Sequence, residues 1–115
     1  NPYHVWISEI MLQQTRVEAV KGYYQRFLTA FPTIQALAEA DPEQVRKCWE
    51  GLGYYTRAKN LQRAAQQILE QYHGKFPTKH EEVLSLAGIG AYTAGAICSI
   101  CYEQPTPAME TYFES

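Results

Sequence analysis

The stretch Leu86-Ala87-Gly88-Ile89-Gly90-Ala91-Tyr92-Thr93-Ala94 sets two glycines, two residues apart, between segments of helical periodicity. Glycine reaches the positive φ that a tight turn between helices demands. The first amides of the following helix have no partner inside that helix, so a phosphate can bind there. Such contacts position a duplex without reading its bases. A helix–helix turn with no ligand is the plainer alternative, and a lone Gly-x-Gly would favour it. The fuller Leu-x-Gly-Ile-Gly-x-x-Thr-Ala pattern at a helix start is a stronger signal.

Helices extend on both sides of this turn. Downstream, a segment rich in small residues runs from Tyr92 to about Tyr102, and the tail from Gln104, with Pro105 and Pro107, is not helical. Upstream, Thr78-Lys79-His80-Glu81 has the spacing of a capping box and opens a helix to about Leu86. A longer helix from about Tyr55 to Tyr72 carries the apolar stripe Ala58, Leu61, Ala65, Ile68 and Leu69 and ends at Gly74. Asp41-Pro42-Glu43 starts a helix through Val45 and Trp49 that stops at Gly51. Thr33 caps a short helix through Ile34 and Leu37. A second capping box, Thr15-Arg16-Val17-Glu18, opens a helix through Tyr23 and Phe27 to about Phe31, before Pro32. The segment Tyr3 to Gln14 is helical in its spacing, with Pro2 at its start. No strand, hairpin or repeat signal interrupts the series. The fold class is all-α, with about six helices and short connections.

Composition narrows the function. The 115 residues are 46% hydrophobic and 19% charged, which fits one globular domain or a piece of a larger protein and excludes disorder. No apolar run approaches the ~18–20 residues of a membrane span, and no leader peptide is visible. Ten Lys and Arg against twelve Asp and Glu give a net charge of −2, so any nucleic-acid site must be built locally. Cys48, Cys98 and Cys101 are too few for a disulfide scaffold or a four-ligand metal set, and they fit a reducing, intracellular compartment. Cys98 and Cys101 read as small core residues at helical spacing.

Three more features carry candidate chemistry. Glu9 shares a helix face with Val5, Trp6 and Leu12. A carboxylate desolvated by such neighbours should titrate high and so act as a general acid near neutral pH. A solvated Glu at the edge of an amphipathic helix is the weightier reading from periodicity alone. Gly51-Leu52-Gly53-Tyr54-Tyr55-Thr56-Arg57-Ala58-Lys59-Asn60 sets two aromatics beside Arg57 and Lys59, with Arg63 one turn on. Rings can wedge between bases while cations meet phosphates, or the tyrosines can be core and the cations solvated. Gln13-Gln14-Thr15 ends the first helix with amides that can enter a base stack or serve only as a polar terminus.

Taken together, these features resemble a known family. Asn1-Pro2-Tyr3-His4-Val5-Trp6-Ile7-Ser8-Glu9-Ile10-Met11-Leu12-Gln13-Gln14-Thr15 looks like the first motif of the MutY adenine DNA glycosylases, within the helix–hairpin–helix superfamily that includes endonuclease III. The Gly51 to Ala58 stretch and the Leu86 to Ala94 hairpin follow in the family's order and spacing. Endonuclease III-type enzymes carry a different first string, without the Glu. The resemblance implies a six-helix barrel over residues 1–108, with the helix–hairpin–helix at about 82–102, and an irregular or non-native tail at 109–115.

The resemblance also assigns roles. Glu9 matches the general acid that protonates adenine as it leaves. Gln14 and Tyr54 match residues that insert into the duplex, and Gln13, Arg57, Lys59, Gly88, Gly90 and Thr93 fall in DNA-binding motifs. Tyr92 stands near the sugar, where bifunctional relatives place a Schiff-base Lys, so the implied enzyme is monofunctional. Glu110 falls at the position of a family Asp that stabilises the cationic sugar, but is one methylene longer and lacks the Gly-Asn that follows. The implied substrate is double-stranded DNA with adenine opposite 8-oxoguanine or guanine, bound by a monomer in the bacterial cytoplasm or another intracellular compartment, with no membrane. No metal or cofactor is expected in this chain. The family's iron–sulfur cluster and 8-oxoguanine-reading domain belong to the longer protein. Alternatives left open are a non-catalytic DNA-binding fragment, a related glycosylase with another base preference, and a helical protein-interaction domain.

Overall fold

A computed structural model of the chain describes residues 1–13, 17–53 and 55–102. Expectations placed on Gln14, Thr15, Tyr54, Glu110 and the tail lie outside these residues. Seven helices form in the described chain: α1 (Pro2–Leu12), α2 (Val17–Ala30), α3 (Ile34–Glu39), α4 (Pro42–Trp49), α5 (Tyr55–Gln71), α6 (His80–Leu84) and α7 (Ala91–Tyr102). No strand forms among the described residues, so the chain is all-α as expected. The seven coincide with the seven stretches of helical signal in the sequence, one more than the count of about six expected for the fold.

Local signals explain most boundaries. Asn1 Oδ1 accepts from the Tyr3 amide at 2.9 Å, one residue before Pro2 opens α1. Thr33 Oγ1 accepts from the Ala36 amide at 3.1 Å and starts α3. Asp41 Oδ1 accepts from the Glu43 amide at 3.0 Å, and Arg46 and Lys47 complete the dipole at the other end of α4. The Thr78 box is the exception. Lys79, not Thr78, is the N-cap of α6, which begins at His80 and ends before Ser85 rather than near Leu86. A Lys side chain cannot accept from an amide, so local chemistry does little to extend this helix.

Two helices are apolar on most of their circumference and therefore lie inside. On α1, Tyr3, Trp6, Ile7, Ile10 and Met11 are all buried. On α7, the run Thr93 to Ser99 is buried without a break. Alanine and glycine at 94–96 let the two backbones approach, and α1 packs on both α2 and α7. Around them α5 packs on α3 and α4, α4 on α2, and α6 on α7. The core is stitched by T-shaped rings, Phe27 against both Phe31 and Trp49. Cys98 lies in this core and is a free thiol, like Cys48 and Cys101.

Glutamines of α5 fasten neighbouring elements. Gln62 Nε2 donates to the carbonyls of Leu37 and Ala40 at 3.3 and 2.6 Å, and Gln66 Nε2 to that of Ala38 at 3.3 Å. These carbonyls lie at the end of α3, where that of Leu37 also accepts the Ala40 amide at 3.3 Å. Gln67 Oε1 accepts from the Ala87 amide at 2.8 Å, holding the hairpin against α5.

Candidate functional site

Where α1 ends and α7 begins, the surface opens into a cleft of about 560 Å³ lined by Glu9, Leu12, Gln13, Gly90, Ala91, Tyr92 and Thr93. That volume is typical of small-molecule sites, which run to ~300–1,000 Å³. The two helices place one functional group each. Glu9 is only 7% exposed, on an inward turn of α1. Tyr92 is 48% exposed, in the first turn of α7. Leu12, expected beside Glu9 on a buried face, is instead exposed at the cleft edge, at the last residue of α1. Gln13 Nε2 donates to Thr93 Oγ1 at 3.3 Å and so links the two walls. Thr93 itself is buried.

The hairpin glycines differ. Gly88 has φ +76, and a Cβ there would come within 2.8 Å of Asn60 Cβ. Gly90 has an ordinary φ and faces open space at the start of α7. The first amides of α7 thus begin at the cleft, with glycine leaving room for an approaching group.

The cations do not gather at this cleft. Lys59 is exposed and lines a separate cavity of about 350 Å³ between α4 and α5, with Arg46 and Tyr55. Arg57 points the other way. Its Nη1 donates to the carbonyls of Ile10 at 2.9 Å and Gln13, its Nη2 lies 3.4 Å from those of Leu52 and Gly53, and its guanidinium stacks 5.4 Å from the Trp49 ring centroid. Sequence reasoning grouped Arg57 with Lys59 by proximity, although a spacing of two puts them on different helix faces. It also gave no structural task to Gln62, Gln66 or Gln67, whose partners are distant in sequence.

Among the described residues, no group of three His, Cys, Asp or Glu side chains is placed to hold a metal ion. Burial pushes the Cys48, Cys98 and Cys101 thiols above their ordinary range, away from the thiolate a metal requires. These thiols do not fit an iron–sulfur cluster. No described helix is long and apolar enough to cross a membrane.

A family model described as HhH-GPD superfamily base excision DNA repair protein matches residues 7–114. The chain belongs to that superfamily. Relatives of this HhH-GPD chain include the adenine DNA glycosylase of Buchnera aphidicola subsp. Baizongia pistaciae, 48% identical over 99 residues, covering 86% of the chain and 28% of the relative. The adenine DNA glycosylase of Rattus norvegicus is 46% identical over 109 residues, covering 94% and 21%. The chain therefore spans less than a third of these relatives' length. Among solved structures, a non-covalent endonuclease III–DNA complex shares the HhH-GPD fold with a TM-score of 0.87 at 23% identity, covering 99% of this chain and 54% of that one. A thermostable thymine-DNA glycosylase matches with a TM-score of 0.84 at 26% identity, covering 90% and 48%.

Proposed function

We propose that this chain is the helical core of an adenine DNA glycosylase that hydrolyses the N-glycosidic bond of adenine opposite 8-oxoguanine or guanine. The observation that carries the reading is the shared cleft: a buried carboxyl, Glu9, on one wall and the exposed phenol of Tyr92 on the other, at the start of α7. The named relatives are adenine DNA glycosylases at 46–48% identity, which supports adenine over other bases.

The chemistry follows from the two walls. A base must leave the stack to enter the cleft, at a cost of a few kcal/mol. Gln14 and Tyr54, filling the space it vacates, offset that cost. Taking a carboxyl out of water disfavours its charged form, the state a general acid must avoid before it acts. Glu9 then delivers its proton to a ring nitrogen of adenine as the glycosidic bond breaks. The bonding pair leaves with the base, water captures the cationic sugar, and the proton that water sheds returns to the Glu9 carboxylate. Tyr92 has no amine, so no imine forms with the sugar and the strand stays intact. The amides at Gly90 to Tyr92 and the exposed Lys59 meet backbone phosphates, and the enzyme works as a monomer. An iron–sulfur cluster would be held by cysteines outside this chain.

The test is single-turnover release of adenine from an A:8-oxoguanine duplex by the full-length protein carrying this chain. Glu9→Gln keeps the shape and removes the transferable proton. Release should fall at least ~10²–10⁴-fold with DNA affinity largely kept. Release at the wild-type rate by Glu9→Gln would remove Glu9 from the mechanism. No release by the wild-type protein, with duplex binding intact, would leave a DNA-binding module without catalysis.

A further inference from the structure

The geometry points to a different task for Arg57 than a phosphate contact: it is a positioning residue that fastens together the two segments leading into Gln14 and Tyr54. The inference deepens the reading above and rests on it, since that reading makes those residues the wedges. The first turn of α5 sends the guanidinium inward, between the end of α1 and the connection that follows α4. One terminal nitrogen donates to the carbonyls of Ile10 and Gln13, and the other faces those of Leu52 and Gly53. Gln13 and Gly53 are the residues immediately before Gln14 and Tyr54. The Trp49 indole N–H donates to the Gly53 carbonyl at 3.1 Å, and the Arg57 guanidinium stacks on the same indole. Cation, ring and both segments thus form one unit.

The chemistry suits arginine. The last carbonyls of a helix lack intrahelical donors and carry the negative end of its dipole, so a cation is favoured at the end of α1. A rigid planar fork can serve acceptors on two sides at once, whereas an ammonium is a point charge on a flexible stem. A guanidinium turned toward four carbonyl oxygens has little left for a phosphate. Wedges on loose segments would lose much of their binding energy to ordering. Fixing the residue before each wedge removes part of that loss before DNA arrives.

The test compares the full-length wild type with Arg57→Lys, which keeps the charge and loses the fork, and Arg57→Met, which loses both. A cooperative thermal transition in each variant establishes folding. Amide hydrogen exchange without DNA should speed up at both residues 10–13 and 51–53, and not in α3 or α6. Affinity for an A:8-oxoguanine duplex should fall about tenfold in both variants, with a smaller loss on a matched duplex. The salt slope of binding should stay that of the wild type, because no phosphate contact is lost. A slope reduced by about 1 in Arg57→Met, with wild-type binding in Arg57→Lys, would make Arg57 a phosphate contact and overturn the inference. Unchanged exchange at either segment would overturn it as well. If the wild type shows no preference for the mismatch, the proposed function fails, and the exchange comparison alone then decides whether the fastening exists.

Discussion

Gly88 and Gly90 stand two residues apart and do different work. At Gly88, φ of +76 and the approach of Asn60 both exclude a side chain. Gly88→Ala should destabilise the protein by about 1–3 kcal/mol, read as a lower urea midpoint with unchanged m. Gly90 has neither constraint, so Gly90→Ala should cost well under 1 kcal/mol of stability in the same experiment. Its methyl would stand at the mouth of the cleft, and duplex affinity should fall instead. Equal stability losses in the two variants would mean that the hairpin carries strain at both positions. The hairpin pattern was visible in the sequence, but not which glycine is held by its φ and by Asn60 and which stands open. Glu9 was less legible still. Its periodicity fits an exposed edge as well as a buried face, and what decides between them is α7, eighty-odd residues away, lying along α1.

The helices themselves were largely legible, because their caps are local. Thr33 and Asp41 bond the amides that their spacing predicts, and Asn1 caps α1 just ahead of the expected start at Pro2. What the sequence concealed were the ties between helices, made by polar side chains that pattern reading assigns to solvent. Gln62 is 7% exposed and spends its amide on α3, and Arg57 spends its guanidinium on α1. Tyr3 is another such tie. Its hydroxyl donates to the Phe31 carbonyl at 2.7 Å, joining the start of α1 to the end of α2. Burial raises its pKa well above the ordinary tyrosine value of 10.0. The phenol therefore ionises more readily in the unfolded chain, so its stabilising share is full below about pH 10 and is lost as pH rises beyond it. Tyr3→Phe should lower stability at neutral pH by about 0.5–1.5 kcal/mol and make the decline above pH 10 shallower. Urea unfolding at about pH 7 and pH 10.5 checks both. Tyr102, pushed up to about 12 by burial, acts in the same sense and remains in both proteins. An equally steep alkaline decline in Tyr3→Phe would show that Tyr3 ionises alike in both states.

At the scale of the molecule, a net charge of −2 means that DNA affinity must come from a few local groups rather than from bulk attraction. Binding by the full-length protein should weaken steeply with salt, and titrations at low and moderate salt that give the same affinity would exclude a phosphate footprint. The chain covers only 28% and 21% of the two relatives above, so the isolated 115 residues should release adenine far more slowly than the full-length protein. Side-by-side single-turnover assays test this, and comparable rates would locate the whole catalytic apparatus within these helices. The link between Gln13 and Thr93 spans 80 positions. On a ribosome adding about 5–20 residues per second, that interval lasts roughly 4–16 s. For those seconds α1 is already made while the helix that covers it is not, and the apolar side that will face α7 has nothing to lie against. The first-made wall of the cleft is thus a nascent-chain surface of the kind that holdase chaperones bind.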